Sequence, residues 1–231
     1  MRRSEPCAVV EVRDLPPAAW HASPVRTERG FDRIVNFSDA TVAIAMTLLV
    51  LPLVDLGGET GQHESLWELL EENYTAIFAF VLSFLVIWSM WVNHHHVMEF
   101  FADYDSRMMT LHLLWLLTVV SIPFTTELIA NPDFYMHGGT TLYVAVLLVT
   151  SLALHLLGLH GRRHPELLHD ADEVKEWLAA PYMWTTVVVM AVILVIVLIA
   201  PGVGAWPMLL LIVDGYIERW IVKRRRKVAR A

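Results

Sequence analysis

Only one cysteine, Cys7, occurs in the 231 residues, so no disulfide can form within the chain. The sequence also lacks a nucleophile–base pairing, a phosphate-binding loop and a dinucleotide-binding fingerprint. Gly57-Gly58 is too short a glycine run to hold phosphates. We therefore predict that the protein is not an enzyme.

Charge is scarce as well, because Asp, Glu, Lys and Arg together make up 18% of the residues. Apolar residues make up 56%, nine residues are tryptophan, and the mean hydropathy is +0.50. This composition is typical of a membrane protein rather than of a soluble domain. The formal net charge of −7 does not identify a partner, because acidic and basic residues occupy different sides of the membrane. The basic run Lys223-Arg224-Arg225-Arg226-Lys227 is interpreted as a stop-transfer or anionic-lipid patch at the lipid bilayer, and no nucleic acid is expected to bind a run this short next to a membrane.

Six segments reach or approach the length of about 20 apolar residues that a membrane-spanning helix needs. We therefore predict an all-α membrane protein with six transmembrane helices within residues 30–222. Residues 1–29 lack the apolar core of a signal peptide and are interpreted as a flexible cytosolic tail, and residues 223–231 are interpreted as a basic cytosolic tail. The predicted spans are 34–55, 74–93, 108–128, 139–159, 181–200 and 203–222.

All 17 lysines and arginines fall on one side of this six-span arrangement. They lie in the N-terminal arm through Arg33, in the second and fourth loops, and at the C-terminal end from Arg219 onward. Because loops rich in basic residues stay in the cytoplasm, both termini are predicted to be cytoplasmic.

The first span carries polar groups that are not expected on a helix that faces only lipid. Asp39 lies inside the apolar run, where a charged group is costly and implies a buried partner or a water-filled path. Steps of three and four residues also place a stripe on one helix face. Its members are Phe37, Ala40, Thr41, Ile44, Thr47, Leu48, Leu51 and Asp55. Ordinary helix packing by the large aliphatic residues remains the alternative explanation of this stripe.

The same helix carries the motif R-x-x-x-F-S-D, at Arg33, Phe37, Ser38 and Asp39. This motif, at the start of a first span, resembles the signature of the transmembrane protein 175 family, which comprises lysosomal and prokaryotic potassium channels. The resemblance covers residues 30–222 and is to a prokaryotic member, because the chain has a single six-helix repeat. Parts of the second and third spans also resemble that family, namely Ser83-Phe84 with Trp91 and His94, and Pro123-Phe124-x-Thr126.

The resemblance implies a homotetramer in the plasma membrane that conducts K+ passively through a pore lined by the first helix of each subunit. Ile44 would form the narrowest ring of a hydrophobic constriction with Leu48 and Leu51, and Thr47 would form a layer linked to modest potassium selectivity. Aliphatic rings can gate by excluding water, and hydroxyl oxygens replace part of the potassium hydration shell. Asp55, at the outer end, would concentrate cations near the mouth.

The carbonyl filter sequence T-V-G-Y-G of ordinary potassium channels is absent, as is an arginine-rich span that would sense voltage. Selectivity would therefore have to come from side chains. A secondary ion transporter is the alternative function, although neither an inverted repeat nor a helix broken at mid-membrane is evident from the sequence. A membrane enzyme that uses the histidines at the inner face is a third possibility, against which the spacing of those histidines argues.

Polar residues in the cytoplasmic halves of the spans are predicted to form a buried network that fixes the angle of the first helix. The predicted members from the motif are Arg33, Phe37, Ser38 and Asp39, and their candidate partners are His94, His112 and Asp214. The family usually has an asparagine at the position of His112. Unrelated polar pairs at the membrane interface are the alternative.

Two further groups of residues are given structural interpretations. Consecutive residues on a helix point about 100° apart, so His94-His95-His96 cannot converge on one ion, and no metal site or cofactor is predicted. Seven tryptophans, Trp91 and Trp115 among them, lie mostly near span ends and are interpreted as interfacial anchors.

Overall fold

The computed structural model describes residues 28–58, 65–131, 138–180, 182, 184–203 and 206–209. Within these ranges the fold is helical, apart from one isolated antiparallel bridge between Phe101 and Leu168. The α-helices are α1 Glu28–Leu48, α2 Leu51–Gly58, α3 Leu66–Glu72, α4 Tyr74–Met98, α5 Ser106–Ala130, α6 Thr140–Arg163, α7 Asp172–Ala179 and α8 Thr185–Ile199. Short 3-10 turns occupy Pro165–Leu167, Pro201–Val203 and Trp206–Leu209.

Four stretches of the described chain are long and apolar enough to cross a membrane, and they correspond to the first four predicted spans. They are Gly30–Asp55, Tyr74–Met98, Ser106–Ala130 and Thr140–Arg163. The fifth predicted span, 181–200, contains the apolar helix α8 of only 15 residues. This helix ends at Ile199 because Ala200 precedes a proline and adopts φ −132° and ψ 74°, outside the helical region.

Several predictions fall on residues that the structure does not describe. Most of the sixth predicted span, 203–222, lies outside the described ranges, and so does Asp214. The same is true of nearly all of the predicted N-terminal tail and of the whole C-terminal tail, 223–231.

The first span is broken in two, where the sequence predicts one continuous helix over 34–55. Helix α1 ends at Leu48, and α2 begins at Leu51. Pro52 explains the position of the break, because proline has no amide hydrogen and its ring clashes with the carbonyl four residues earlier, at Leu48. The break therefore follows directly after Thr47 and Leu48 on the predicted pore face.

The larger apolar core lies between the long helices and is centred on α5. This helix contacts α1, α4 and α6, and its contact with α6 is the most extensive in the fold. Side chains that are fully or almost fully buried here include Ile87, Trp115, Val119, Tyr143 and Ile193. Trp115 therefore lies in the core rather than at a membrane interface, so its interpretation as an anchor was wrong.

A second apolar core closes one end of the bundle. It joins Phe31 at the start of α1 to Met98, Phe101 and Met108, and to Val174 of α7. The basic residues of α1, α5, α6 and α7 all belong to this end. Helix α7 was not predicted from the sequence, because it is short and polar and is held by the core beneath it through Val174.

Hydrogen bonds to charged side chains reinforce this end. Asp105 caps α5 by accepting from the Met108 amide at 2.7 Å, and its second oxygen lies 2.8 Å from His160 Nε2. Burial raises the pKa of Asp105, but the Met108 amide and His160 outweigh it, so the pKa of this carboxyl is below its usual value. Arg162 donates to three carbonyls at the C-terminal end of α7, those of Trp177, Leu178 and Ala180.

Candidate functional site

The exposed face of α1 and α2 follows the stripe that the sequence defines. Ile44 is 60% exposed in the single chain, whereas Leu49, on the opposite face, is 3% exposed. Of the eight stripe residues only Thr41 is half-buried, and the exposed ones are Phe37, Ala40, Ile44, Thr47, Leu48, Leu51 and Asp55. The stripe is therefore an apolar surface, with one central hydroxyl, that nothing in the described part of the chain covers.

The Thr47 side chain is oriented by its own helix. Its hydroxyl donates to the Ile44 carbonyl at 2.8 Å, and the side chain is exposed. Because the hydrogen is used within the helix, the free lone pairs of the oxygen remain available to a cation or to water. Thr47 therefore presents an acceptor on the stripe, next to the aliphatic side chains of Ile44 and Leu48.

Ser38 connects α1 to α5 through His112. The Ser38 hydroxyl donates to the Ile34 carbonyl at 2.8 Å, which leaves its oxygen free to accept a hydrogen bond from His112 Nε2. With Nε2 protonated, a neutral His112 ring has a bare Nδ1, and His94 Nε2 lies 3.5 Å from that atom. His94 must then be the donor, so a directed chain of hydrogen bonds extends from α4 through α5 to α1.

Both histidine rings are enclosed, because His94 is 0% and His112 is 2% exposed. His94 stacks on Trp115 with ring centroids 3.9 Å apart and an angle of 12° between the ring planes. His94 Nδ1 and Trp115 Nε1 have no hydrogen-bond partner within the described part of the chain. Breaking the network would therefore leave further polar atoms buried without partners.

Asp39 is held by a partner that sequence reasoning missed. Trp91 Nε1 donates to Asp39 Oδ1 at 2.8 Å, and the Trp91 ring stacks on His95 with centroids 5.4 Å apart. The interpretation of Trp91 as an interfacial anchor did not anticipate this contact. Its position one turn before His94 on α4, and its place in the family resemblance, were the available signals.

Arg33 and Phe37, the other predicted members that the structure describes, make no polar contact with these residues. Phe37 is exposed, and Arg33 is exposed and makes no salt bridge among the described residues. Asp55 is exposed at the far end of the stripe. The structure thus brings Ser38, His112 and His94 together and leaves Arg33 outside that group.

A second buried network joins α4, α5 and α6, and sequence reasoning did not assemble it. Thr126 donates to Ser83 Oγ at 2.8 Å, and Ser83 Oγ lies 3.0 Å from the Tyr143 hydroxyl. Ser83 and Thr126 were noted only as residues of the family resemblance. The shared hydroxyl at Ser83 fixes the three helices relative to one another, behind the face that holds α1.

No group of three or more His, Cys, Asp or Glu side chains within the described ranges could hold a metal ion. His95 Nε2 and His96 Nδ1 lie 3.5 and 3.6 Å from the two oxygens of Glu99, at the exposed end of α4. Both histidines are thus close to the same exposed carboxylate.

Asp39→Ala is expected to lower thermal stability, because it leaves the Trp91 indole N–H without its acceptor. The loss should be about 1–3 kcal/mol, measured by thermal unfolding of the detergent-solubilised protein. Asp39→Asn is the matched control, since its amide oxygen can still accept from Trp91. A stable, normally assembled Asp39→Ala protein with altered ion preference would place Asp39 in the pore instead.

Comparison with known proteins finds similar ion channels. A family-level sequence model described as "Endosomal/lysosomal potassium channel TMEM175" matches residues 33–123. A potassium channel of Streptomyces collinus is 37% identical over 138 residues, which is 57% of this chain and 64% of that protein. The endosomal/lysosomal proton channel TMEM175 of Danio rerio is 26% identical over 146 residues, 62% of this chain and 27% of that protein.

The fold has a counterpart of known structure. It is similar, with a TM-score of 0.61 and 25% identity, to the crystal structure of a lysosomal potassium-selective channel TMEM175 homolog from Chamaesiphon minutus. That match covers 80% of this chain and 96% of the other. The residues matched by the family model include the motif on α1, the whole of α4 and most of α5, which are the helices that form the Ser38 network. The chain is therefore similar, over residues 33–123, to the TMEM175 family of ion channels.

Proposed function

We propose that four copies of this chain form a potassium channel in the plasma membrane, with α1 and α2 of each copy lining the pore. The observation that carries the proposal is the exposed apolar stripe from Phe37 to Leu51, with Thr47 at its centre. The opposite face of α1 is bound to α5 through Ser38 and to α4 through Asp39, so its rotation is fixed. The potassium channel of Streptomyces collinus and the potassium-selective homolog of known structure support the choice of ion.

The proposed channel has six spans per subunit, with both termini in the cytoplasm. The basic residues of α1, α5, α6 and α7 lie at one end of the bundle, which supports placing that end on the cytoplasmic side. In this orientation Arg33 is at the inner end of the stripe and Asp55 is at the outer end. Asp55 raises the local cation concentration at the outer mouth.

The proposed constriction works by excluding water. Ile44, Leu48 and Leu51 from four subunits form aliphatic rings, and methyl groups cannot replace the hydration shell of an ion. Ions pass when the neck widens or fills with water. The four Thr47 oxygens then act as weak ligands, which compensate K+ for lost hydration more fully than Na+, because Na+ holds its water more tightly. Selectivity is therefore expected to be modest.

Reconstitution of the purified protein into liposomes and planar bilayers tests this function. A channel gives discrete single-channel steps and potassium flux down its gradient, whereas a secondary transporter gives slow, saturable flux without steps. Because the animal relatives are named proton channels, proton flux is recorded in the same vesicles with a pH-sensitive dye. Saturable flux without steps, or proton flux alone, would overturn the proposal of a potassium channel.

Thr47→Ala is expected to keep conduction but lower the preference for potassium over sodium. The ratio should fall roughly two- to fivefold, equivalent to about 0.5–1 kcal/mol, because the hydroxyl oxygens next to the neck are lost. The measurement is the reversal potential with potassium on one side and sodium on the other. Thr41→Ala is the control, since Thr41 also donates to its own helix, at the Phe37 carbonyl, but is half-buried. An unchanged reversal potential in Thr47→Ala would remove Thr47 from the selectivity layer.

A further inference from the structure

Arg33 lies on the same face of α1 as the proposed pore stripe. It precedes Phe37 by four residues and Ile44 by eleven, which is close to one and three turns of an α-helix. The side chain is exposed and makes no ion pair with the described residues. An arginine that makes no ion pair with the described residues and lies in line with Ile44 is therefore positioned at the inner end of the stripe.

Other charged groups at this end of the bundle are directed elsewhere. Asp32 lies about 100° around the helix from Arg33 and lines a cleft of about 630 Å³ between α1 and α4, together with Asn36, His95 and Glu99. Arg162 is engaged with the carbonyls at the end of α7. Among the residues whose side chains the structure describes, Arg33 is thus the basic group on the stripe.

The opposite end of the stripe carries the opposite charge. Asp55 is 22 residues after Arg33, which corresponds to about 33 Å of helix, and the exposed stripe residues between them are uncharged. Four subunits would therefore place four guanidinium groups at the inner mouth and four carboxylates at the outer mouth. The two mouths present opposite fields to an entering cation.

We propose that Arg33 makes the channel pass inward current more readily than outward current, an inference that rests on the proposed function and orientation. Four unit charges at about one Debye length from the axis lower the local cation concentration roughly threefold. Potassium leaving the cell is depleted at the Arg33 ring before it reaches the neck, whereas potassium entering the cell is concentrated at the Asp55 ring. With equal potassium on both sides, the current–voltage relation is then not linear, because inward current exceeds outward current at voltages of equal size.

Excised patches from expressing cells, with equal potassium on both faces, test this inference because the cytoplasmic face is known. The wild type should pass roughly threefold more inward than outward current at mirrored voltages. Arg33→Gln should increase outward current and lower the ratio toward one, leaving only the part of the asymmetry that the Asp55 ring maintains, while Arg33→Lys should retain the full asymmetry. Arg107→Gln removes another exposed arginine at the same end but off the stripe, and it should leave the ratio unchanged.

Because Arg33 makes no ion pair in the described part of the chain, Arg33→Gln is expected to assemble normally, which size-exclusion chromatography checks. A linear wild-type relation, or a ratio that Arg33→Gln does not change, overturns the role of Arg33 and leaves the channel proposal intact. Absence of any potassium current in the wild type overturns both.

Discussion

Ile44→Asn is expected to raise the basal potassium current about tenfold and to weaken discrimination among monovalent cations. Ile44 is the first large aliphatic residue on the stripe after the motif, and its side chain is exposed toward the proposed axis. Asparagine would let water occupy the closed neck, so an ion no longer has to shed its hydration shell there. A tenfold rise corresponds to a decrease of about 1.4 kcal/mol in the free-energy barrier to ion passage. The measurement is macroscopic current per reconstituted protein, with single-channel recording to separate conductance from open probability.

Leu49→Asn is the matched control for this prediction, because it makes the same change on the buried face of the same helix. The introduced amide would lie in the core without a hydrogen-bond partner, at a cost of about 2–5 kcal/mol once the lost packing is included. We expect poor assembly rather than leak current. If Leu49→Asn instead assembles and leaks while Ile44→Asn conducts like the wild type, then the assignment of the Ile44 face of α1 to the pore is wrong.

His112→Ala is expected to destabilise the protein by about 2–4 kcal/mol. The change empties a buried site, removes the donor to Ser38 and leaves His94 Nε2 without its acceptor. Because the His112–Ser38 bond joins α5 to α1, the proposed pore-lining helix, its loss should also lower the fraction of the proposed tetramer that assembles. Thermal unfolding and size-exclusion chromatography in the same detergent measure the two effects.

His112→Asn is the informative comparison, since asparagine carries both a donor and an acceptor and the family usually has asparagine at this position. The side-chain amide can still donate to Ser38, so most of the stability should return. Equal damage from the alanine and asparagine variants would mean that ring packing against His94 and Trp115, rather than hydrogen bonding, holds α1.

Local pattern in the sequence was sufficient to predict the first four spans and the exposed face of α1. A run of about 20 apolar residues is a property of consecutive positions, and the stripe of Ile44, Leu48 and Leu51 follows from helical periodicity alone. These features need no knowledge of neighbouring helices, and the first four predicted spans are found in the structure.

Contacts between helices were harder to predict, because they depend on how the helices rotate against one another. The sequence suggested histidine or Asp214 as the partner of Asp39, whereas the structure pairs Asp39 with Trp91. The break at Leu48 has a local cause instead, because the ring of Pro52 clashes with the carbonyl four residues earlier. The sequence predicts a single continuous span there, because the length of the apolar run does not show such a break.

Helix α8 is shorter than the membrane that it crosses in the proposed six-span arrangement. Fifteen residues rise about 22 Å, against a hydrocarbon core of about 30 Å. Hydrophobic mismatch of this kind is relieved when the bilayer thins locally or when flanking aromatic residues such as Trp184 reach the interface. The cost grows with acyl-chain length, so α8 couples the outer wall of the bundle to bilayer thickness. Lipid composition is therefore part of the channel's physical environment, and recordings in thin and thick membranes describe the protein under different mechanical loads.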